Sequence, residues 1–167
     1  IGTNDLEAAN KWKILNPEYE IKLYDNEMCK SFLLEHFGEL YCDIFDYLKD
    51  GPIKADFWRV CILYVHGGVY SDIDIDPLVP LNNFIEPDID FLTCSAYWWK
   101  KSFQPNFIIS TRENTILKAC IDWYVNKYNK KDTKKEAKKE AKKEAKKEAK
   151  KAAKKITVTR MTIFMLP

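Results

Sequence analysis

Two aspartates, Asp72 and Asp74, are separated by a single residue in an otherwise apolar stretch, and this spacing suits metal chemistry. We predict a strand over residues 69–75, in which side chains two apart point the same way. Both carboxylates would then share one face while Ile73 faces the core. Carboxylates held so close repel each other, and Mg²⁺ or Mn²⁺ relieves that repulsion while keeping positions open for phosphate oxygens. The pair therefore predicts a metal-bridged diphosphate site.

The alternative is that the two aspartates are solvated acids at an exposed strand end, because so short a pattern arises freely by chance. Their setting favours the metal site. Gly67 and Gly68 come directly before the predicted strand, where the chain can turn sharply and a ligand can approach the backbone closely.

A second charged pair, Asp56 and Arg59, lies three residues apart in a predicted helix over residues 53–66. That helix is apolar on nearly every side, which is typical of a helix buried inside a layered domain. The pair could be only an internal ion pair, worth a few tenths of a kcal/mol on a solvated face. On a mostly buried helix both charges need firmer partners, and a sugar hydroxyl and a phosphate would serve.

The elements that must position these residues alternate between helices and strands, which indicates an α/β layered fold. We predict helices over residues 5–15, 26–37 with Asp25 as N-cap, 40–48, 53–66 and 114–128, and strands over residues 19–24, 69–75, 89–95 and 107–110.

A lysine-rich tract follows the predicted domain of residues 1–129. Residues 130–155 carry fourteen Lys against four Glu and one Asp, a local charge of +9, although the whole chain is at +2. The remainder is therefore at −7, so we expect no nucleic-acid partner for the globular part. The tract repeats Lys-Lys-Glu-Ala four times, and we interpret it as a solvated helix or linker; electrostatic binding to acidic membranes or nucleic acid is the alternative. Residues 156–167 are apolar and strand-like, without an assigned place, and we expect no membrane segment.

Taken together, these residues resemble the signature of the DXD sugar-transferase family, which includes the yeast-type initiating α-1,6-mannosyltransferases and, more distantly, the glucosylating clostridial toxins. The resemblance covers roughly residues 10–129 and is carried by Ala55-Asp56-Phe57-Trp58-Arg59, Leu63-Tyr64 and Gly67-Gly68-Val69-Tyr70-Ser71-Asp72-Ile73-Asp74.

The resemblance implies a GT-A-like nucleotide-binding fold, with a mixed central sheet and flanking helices. It also implies a UDP- or GDP-linked sugar donor, Mn²⁺ or Mg²⁺ as cofactor, a glycan or protein acceptor, and transfer with retention. By the same resemblance, Asp72 and Asp74 hold the metal, whereas the donor is bound by Asp56, Arg59, Tyr70, Asp72 and Asn106. No residue is assigned as a catalytic acid, base or nucleophile.

The sequence also departs from the family pattern. The family opens with an apolar strand that contacts the nucleotide and continues beyond the position of Tyr128 into an acceptor-side segment, so we expect a fold truncated at both ends. The competing hypothesis is therefore a catalytically incompetent remnant that binds metal and nucleotide. Trp98 and Trp99 could stack on a sugar, although covering the edge of the core is the favoured interpretation.

Overall fold

A computed structural model describes residues 3–83, 85–86, 88–95 and 102–163. The chain divides into two compact units, Ile1–Val125 and Asn126–Pro167. In chain order the elements are α1 (Thr3–Leu15), α2 (Asn26–Phe37), α3 (Glu39–Tyr47), α4 (Gly51–His66), β1 (Gly68–Ser71), a short 3-10 helix (Leu81–Asn83), β2 (Phe91–Ser95), β3 (Phe103–Ser110) and α5 (Thr115–Ile163). The fold is α/β, as predicted.

The predicted boundaries of α2 are confirmed in atomic detail. Asp25 caps the helix, its carboxylate accepting a hydrogen bond from the Met28 N–H at 2.8 Å. Gly38 ends the helix with φ +84°, a conformation that favours glycine, and its N–H reaches back to the carbonyls of Leu33 and Leu34.

Helix α4 is the central element of the core, as its nearly uniform apolar character predicted. Phe57 and Cys61 are fully buried, and so are Leu117 and Ile121 on α5. Ile53, in the first turn, is an exception because its side chain is exposed. The middle of α4 is buried, and the only arginine of this helix, Arg59, lies there. The position of Arg59 determines where the site described below is formed.

Gly67 connects α4 to β1 through a backbone that other residues would strain. Its φ is +67°, and a Cβ at this position would lie 2.8 Å from the Arg112 nitrogen and 3.0 Å from the Ser110 carbonyl oxygen. The helix can therefore pass directly into the strand only because this residue has no side chain.

The three strands of the described residues form one antiparallel sheet in the order β1-β3-β2. Tyr70 of β1 lies opposite Ile108 of β3, and Thr93 of β2 lies opposite the same residue. An irregularity follows Thr93, after which Cys94 pairs with Gln104. Because β1 is at the edge of this sheet, its second side faces away from β3.

Two strand predictions for the first unit are wrong. Residues 19–24 are irregular rather than a strand, because alternation of side chains does not supply a hydrogen-bonding partner and the described sheet offers them none. The strand predicted over residues 69–75 ends at Ser71. The chain turns there, with the Ile75 N–H donating to the Asp72 carbonyl at 3.1 Å.

The second unit is helical through Ile163, so the lysine-rich tract lies within α5. The strand character expected for residues 156–163 is wrong, since β-branched composition without a pairing strand does not outweigh continuation of an existing helix. Residues 164–167 of that segment lie outside the described residues. Among the described helices, none has the apolar length needed to cross a membrane.

The two aspartate N-caps give a matched test of capping. Asp25→Ala removes the side-chain bond at the start of α2, and we expect a loss of about 1 kcal/mol in the free energy of unfolding. Asp50→Ala is the control, because Asp50 occupies the N-cap of α4 without a side-chain cap bond. Urea unfolding should separate the two variants, and equal losses would contradict the role of the Asp25 bond.

A second prediction concerns acid sensitivity at the end of α4. Burial lowers the pKa of His66, and the neighbouring His36, Lys22 and Arg112 lower it further. Because the unfolded chain binds this proton more readily than the folded chain, we expect stability to fall as pH drops below about 6.5 and to level off below the folded-state pKa. Thermal unfolding from about pH 8 to about pH 5 measures this. His66→Gln should flatten the curve, whereas parallel curves for the two proteins would exclude His66 as the source.

Candidate functional site

Arg59 is the buried charge around which the site is built. Its side chain is 4% exposed, and its guanidinium lies 3.1 Å from Asp56 Oδ1 and 3.4 Å from Asp72 Oδ1. Two main-chain carbonyls complete its surroundings: Nε donates to Ala55 at 3.1 Å, and Nη1 donates to Pro105. The acceptors come from α4, β3 and the end of β1, so one side chain joins all three elements.

Tyr70 packs against this cation and holds its acidic partner. The guanidinium carbon of Arg59 is 4.7 Å from the centre of the Tyr70 ring, a cation–π distance. The Tyr70 hydroxyl donates to Asp72 Oδ1 at 2.7 Å. Burial raises the pKa of Tyr70, and the bond to Asp72 raises it further, so the phenol keeps its proton and remains a donor.

Asp72 is held by its backbone as well as by its side chain. It follows β1 directly, and its N–H donates to the Asn106 carbonyl at 2.8 Å, which continues the pairing of β1 with β3 by one residue. Both side-chain contacts, from Tyr70 and Arg59, fall on Oδ1. Within the described part of the chain, Oδ2 has no recorded partner.

Asp74 differs from Asp72 in being exposed and in having no recorded hydrogen bond or ion pair within the described residues. It lies in the turn after β1, so the prediction that both carboxylates share a strand face is wrong. The turn still brings Asp74 to the same cavity as Asp72.

The remaining predicted residues, Asp56 and Asn106, lie at the margin of the cluster formed by Arg59, Tyr70 and Asp72. Burial raises the pKa of the Asp56 carboxyl and nearby Asp72 adds to this, while Arg59 acts in the opposite direction. The buried Asn106 Oδ1 has no hydrogen-bond partner among the described residues and is therefore an unsatisfied acceptor. Neither residue is among those that line the cavity.

The cavity beside Arg59 has a volume of about 850 Å³, within the range of small-molecule sites. Three segments line most of it: residues 19–24, the inner face of α4, and residues 67–74. The cavity therefore combines an apolar wall with Arg59, Tyr70, Asp72 and Asp74 at one part of its lining.

The donor set fits a hard divalent cation that is shared with a ligand. No group of three or more His, Cys, Asp or Glu side chains in the described residues is arranged to hold a metal. Mg²⁺-type ions in nucleotide sites commonly use only one or two protein carboxylates and complete their shell with phosphate and water. The carboxylate oxygens of Asp74 and the Oδ2 atom of Asp72 have the chemistry of such ligands.

Sequence reasoning did not identify Tyr124 on α5 as a neighbour of the site. Its ring lies 5.1 Å from that of Phe57, which follows Asp56 in the chain. Its helical position gave no chemical signal, since an aromatic residue on an amphipathic helix is typical of a core contact. Trp98 and Trp99, which were considered for sugar stacking, lie outside the described residues.

Comparison with known proteins finds glycosyltransferases among the relatives of this chain. The chain is 35% identical over 78 residues to the initiation-specific α-1,6-mannosyltransferase of Schizosaccharomyces pombe, covering 44% of this chain and 20% of that protein. It is 34% identical over 128 residues to the enzyme of the same name from Candida albicans, covering 73% and 30%. An uncharacterized glycosyltransferase of Acanthamoeba polyphaga mimivirus is 32% identical over 102 residues, covering 60% and 39%. The chain thus spans between a fifth and two fifths of the length of these relatives.

A solved structure and a family description extend the comparison. The PaToxG glycosyltransferase superposes with a TM-score of 0.55 at 19% identity, covering 78% of this chain and 56% of the other, which supports the predicted GT-A-like fold. The family described as "Glycosyltransferase sugar-binding region containing DXD motif" matches residues 2–92, more than half of the chain. The chain belongs to this family of DXD-containing glycosyltransferases.

Proposed function

We propose that this chain is the donor-binding part of a metal-dependent hexosyltransferase. It would transfer a sugar from a UDP- or GDP-linked donor to the hydroxyl of a glycan or protein acceptor, with retention. The observation that carries the proposal is the cluster of Arg59, Tyr70 and Asp72 beside a cavity of about 850 Å³. The mannosyltransferase names of the two fungal relatives favour a mannosyl donor.

In this proposal Arg59 is a fixed positive charge beside the donor diphosphate. Its guanidinium is held by two carbonyls and two carboxylates, so it needs little reorganisation when negative charge develops on the leaving group. Tyr70 and Arg59 fix the Oδ1 side of Asp72, which orients its other oxygen. A bound Mn²⁺ or Mg²⁺, held by Asp72 and Asp74, would neutralise charge on the leaving diphosphate.

The donor sugar is assigned to the margin of the cluster, next to Asp56 and Asn106. Asp56 keeps part of its carboxylate exposed, and Asn106 Oδ1 is an unpartnered acceptor among the described residues. Sugar hydroxyls are donors that both groups can accept from. Retention follows if the acceptor hydroxyl attacks on the face that the diphosphate leaves, and no protein nucleophile is assigned to this step.

A binding module without turnover is the second candidate, and one observation favours it. Residues 19–24 line the cavity without pairing to a described strand, and β1 lines it from the edge of the described sheet. Walls with unpaired backbone hold a ligand less rigidly than a complete sheet, which would weaken the orientation that catalysis needs.

Titration calorimetry with UDP- and GDP-sugars, with and without Mn²⁺, tests the donor site. We expect metal-dependent binding that weakens at least about tenfold in Asp74→Asn, because a principal metal ligand is lost. Asp76→Asn is the matched control: it removes a nearby exposed carboxylate whose recorded partner is Lys11 and should leave the affinity within about twofold of wild type.

The same samples distinguish the two candidate functions. Release of free sugar from the bound donor in Mn²⁺, lost in Asp72→Ala/Asp74→Ala, would identify a transferase, whereas binding without release would identify the module. If the folded wild type binds none of the sugars, or if Asp76→Asn is impaired as strongly as Asp74→Asn, the proposed metal site is wrong.

A further inference from the structure

Trp123 and Tyr124 on α5 form an exposed pair of rings that the donor site does not use. Their ring centres are 5.1 Å apart and their planes are perpendicular. The Trp123 side chain is 56% exposed although it is one of the largest apolar groups in the chain. We call this pair the aromatic corner.

The aromatic corner is connected to α4 through Tyr124. The Tyr124 ring packs 5.1 Å from Phe57, whose neighbour in α4 is Asp56. Burial raises the pKa of Tyr124 to about 12; Asp56 raises it and Arg59 lowers it. Tyr124 therefore packs on the turn of α4 that carries Asp56 and Arg59.

The surface beside the aromatic corner is a shallow depression of about 680 Å³. Besides the two rings, its lining comes from Thr115, Ile116, Ala119 and Cys120 of the same helix. This lining is mainly apolar and carries no charged side chain, which suits a neutral ligand with an apolar face.

We propose that the aromatic corner binds a sugar ring of a carbohydrate acceptor beside Asp56. This inference rests on the proposed function. An exposed indole offers a flat surface to the C–H face of a pyranose, and the adjoining phenol supplies a hydrogen bond to a ring hydroxyl. Because Tyr124 packs on Phe57, the residue after Asp56 in α4, an acceptor held at the corner would lie at the turn of α4 that carries the proposed donor-sugar residue.

The extent of the apolar stripe favours a small ligand over a protein partner. From Ile116 to Tyr124 the stripe rises only about 12 Å along the helix. Tyr128, one turn further, is the last aromatic residue of this pattern, and lysine occupies positions 127, 130 and 131 around it, so the apolar sequence pattern ends there. A stable protein interface needs roughly 800 Å² from each partner, which a stripe of this length does not offer by itself.

Saturation-transfer NMR with the methyl α-glycosides of mannose, glucose and galactose tests the aromatic corner on the full chain. We expect binding of at least one glycoside, weakened about fivefold in Trp123→Ala and largely restored in Trp123→Phe, which keeps an aromatic face. Equal binding by wild type and Trp123→Ala, or no binding of any glycoside by wild type, would overturn the proposal. A wild-type dimer in light scattering that Trp123→Ala abolishes would also overturn it, in favour of a protein partner.

A second pair of variants separates the contribution of the Tyr124 hydroxyl to glycoside binding from the contribution of its ring packing. Tyr124→Phe keeps the ring against Phe57 and should weaken glycoside binding about threefold through loss of one hydrogen bond. Tyr41→Phe is the matched control, because Tyr41 also stacks on Phe57 with ring centres 6.0 Å apart but does not line the depression beside the aromatic corner. Equal effects of the two variants would show that packing alone is responsible.

Transfer kinetics then connect the corner to the proposed function. With the donor selected by calorimetry, Trp123→Ala should raise the KM for the glycoside about fivefold with little change in kcat. A fall in kcat with unchanged KM would contradict an acceptor-binding role. If wild type neither binds nor consumes a donor, the proposed function is wrong. The glycoside NMR experiment still tests sugar binding at the aromatic corner independently.

Discussion

The burial of one positive charge is the constraint on which this domain depends. Arg59 sits in the middle of the most buried helix, and an unpaired guanidinium there would cost several kcal/mol. The fold meets that cost with acceptors from separate segments: carbonyls of Ala55 and Pro105 and carboxylates of Asp56 and Asp72. Residues that are far apart in sequence are therefore brought together for electrostatic reasons before any ligand is considered.

This constraint also explains why the site is asymmetric. Asp72 is fixed by Arg59, Tyr70 and its own backbone, whereas Asp74 is exposed in the turn. One carboxylate therefore has its position determined by the fold, and in the proposed metal site the other would adjust to the bound cation. A cation placed between them would be located by the first and enclosed by the second.

The sequence predicted those features that local chemistry determines. Capping by Asp25, termination at Gly38 and the apolar faces of α4 each depend on a few neighbouring residues, and all are confirmed. The strand expected at residues 19–24 and the extension of β1 to residue 75 were wrong, because pairing depends on distant segments that alternation does not reveal. The packing of Tyr124 on Phe57 was missed for the same reason, since it follows only from the contact of α5 with α4.

Gly67 has a consequence for how this sequence can diverge. The helix that carries Arg59 and the strand that carries Tyr70 are joined through this one residue, where both the positive φ and the nearby Ser110 and Arg112 backbone exclude a side chain. Replacement of Gly67 would have to shift α4 relative to β1. A shift of a few tenths of an ångström would change every contact distance of the Arg59 guanidinium. Substitution of Gly67 is therefore excluded by the backbone geometry. The exposed Gly51 can be substituted without a steric clash, because no atom lies within 4 Å of the position that its Cβ would take.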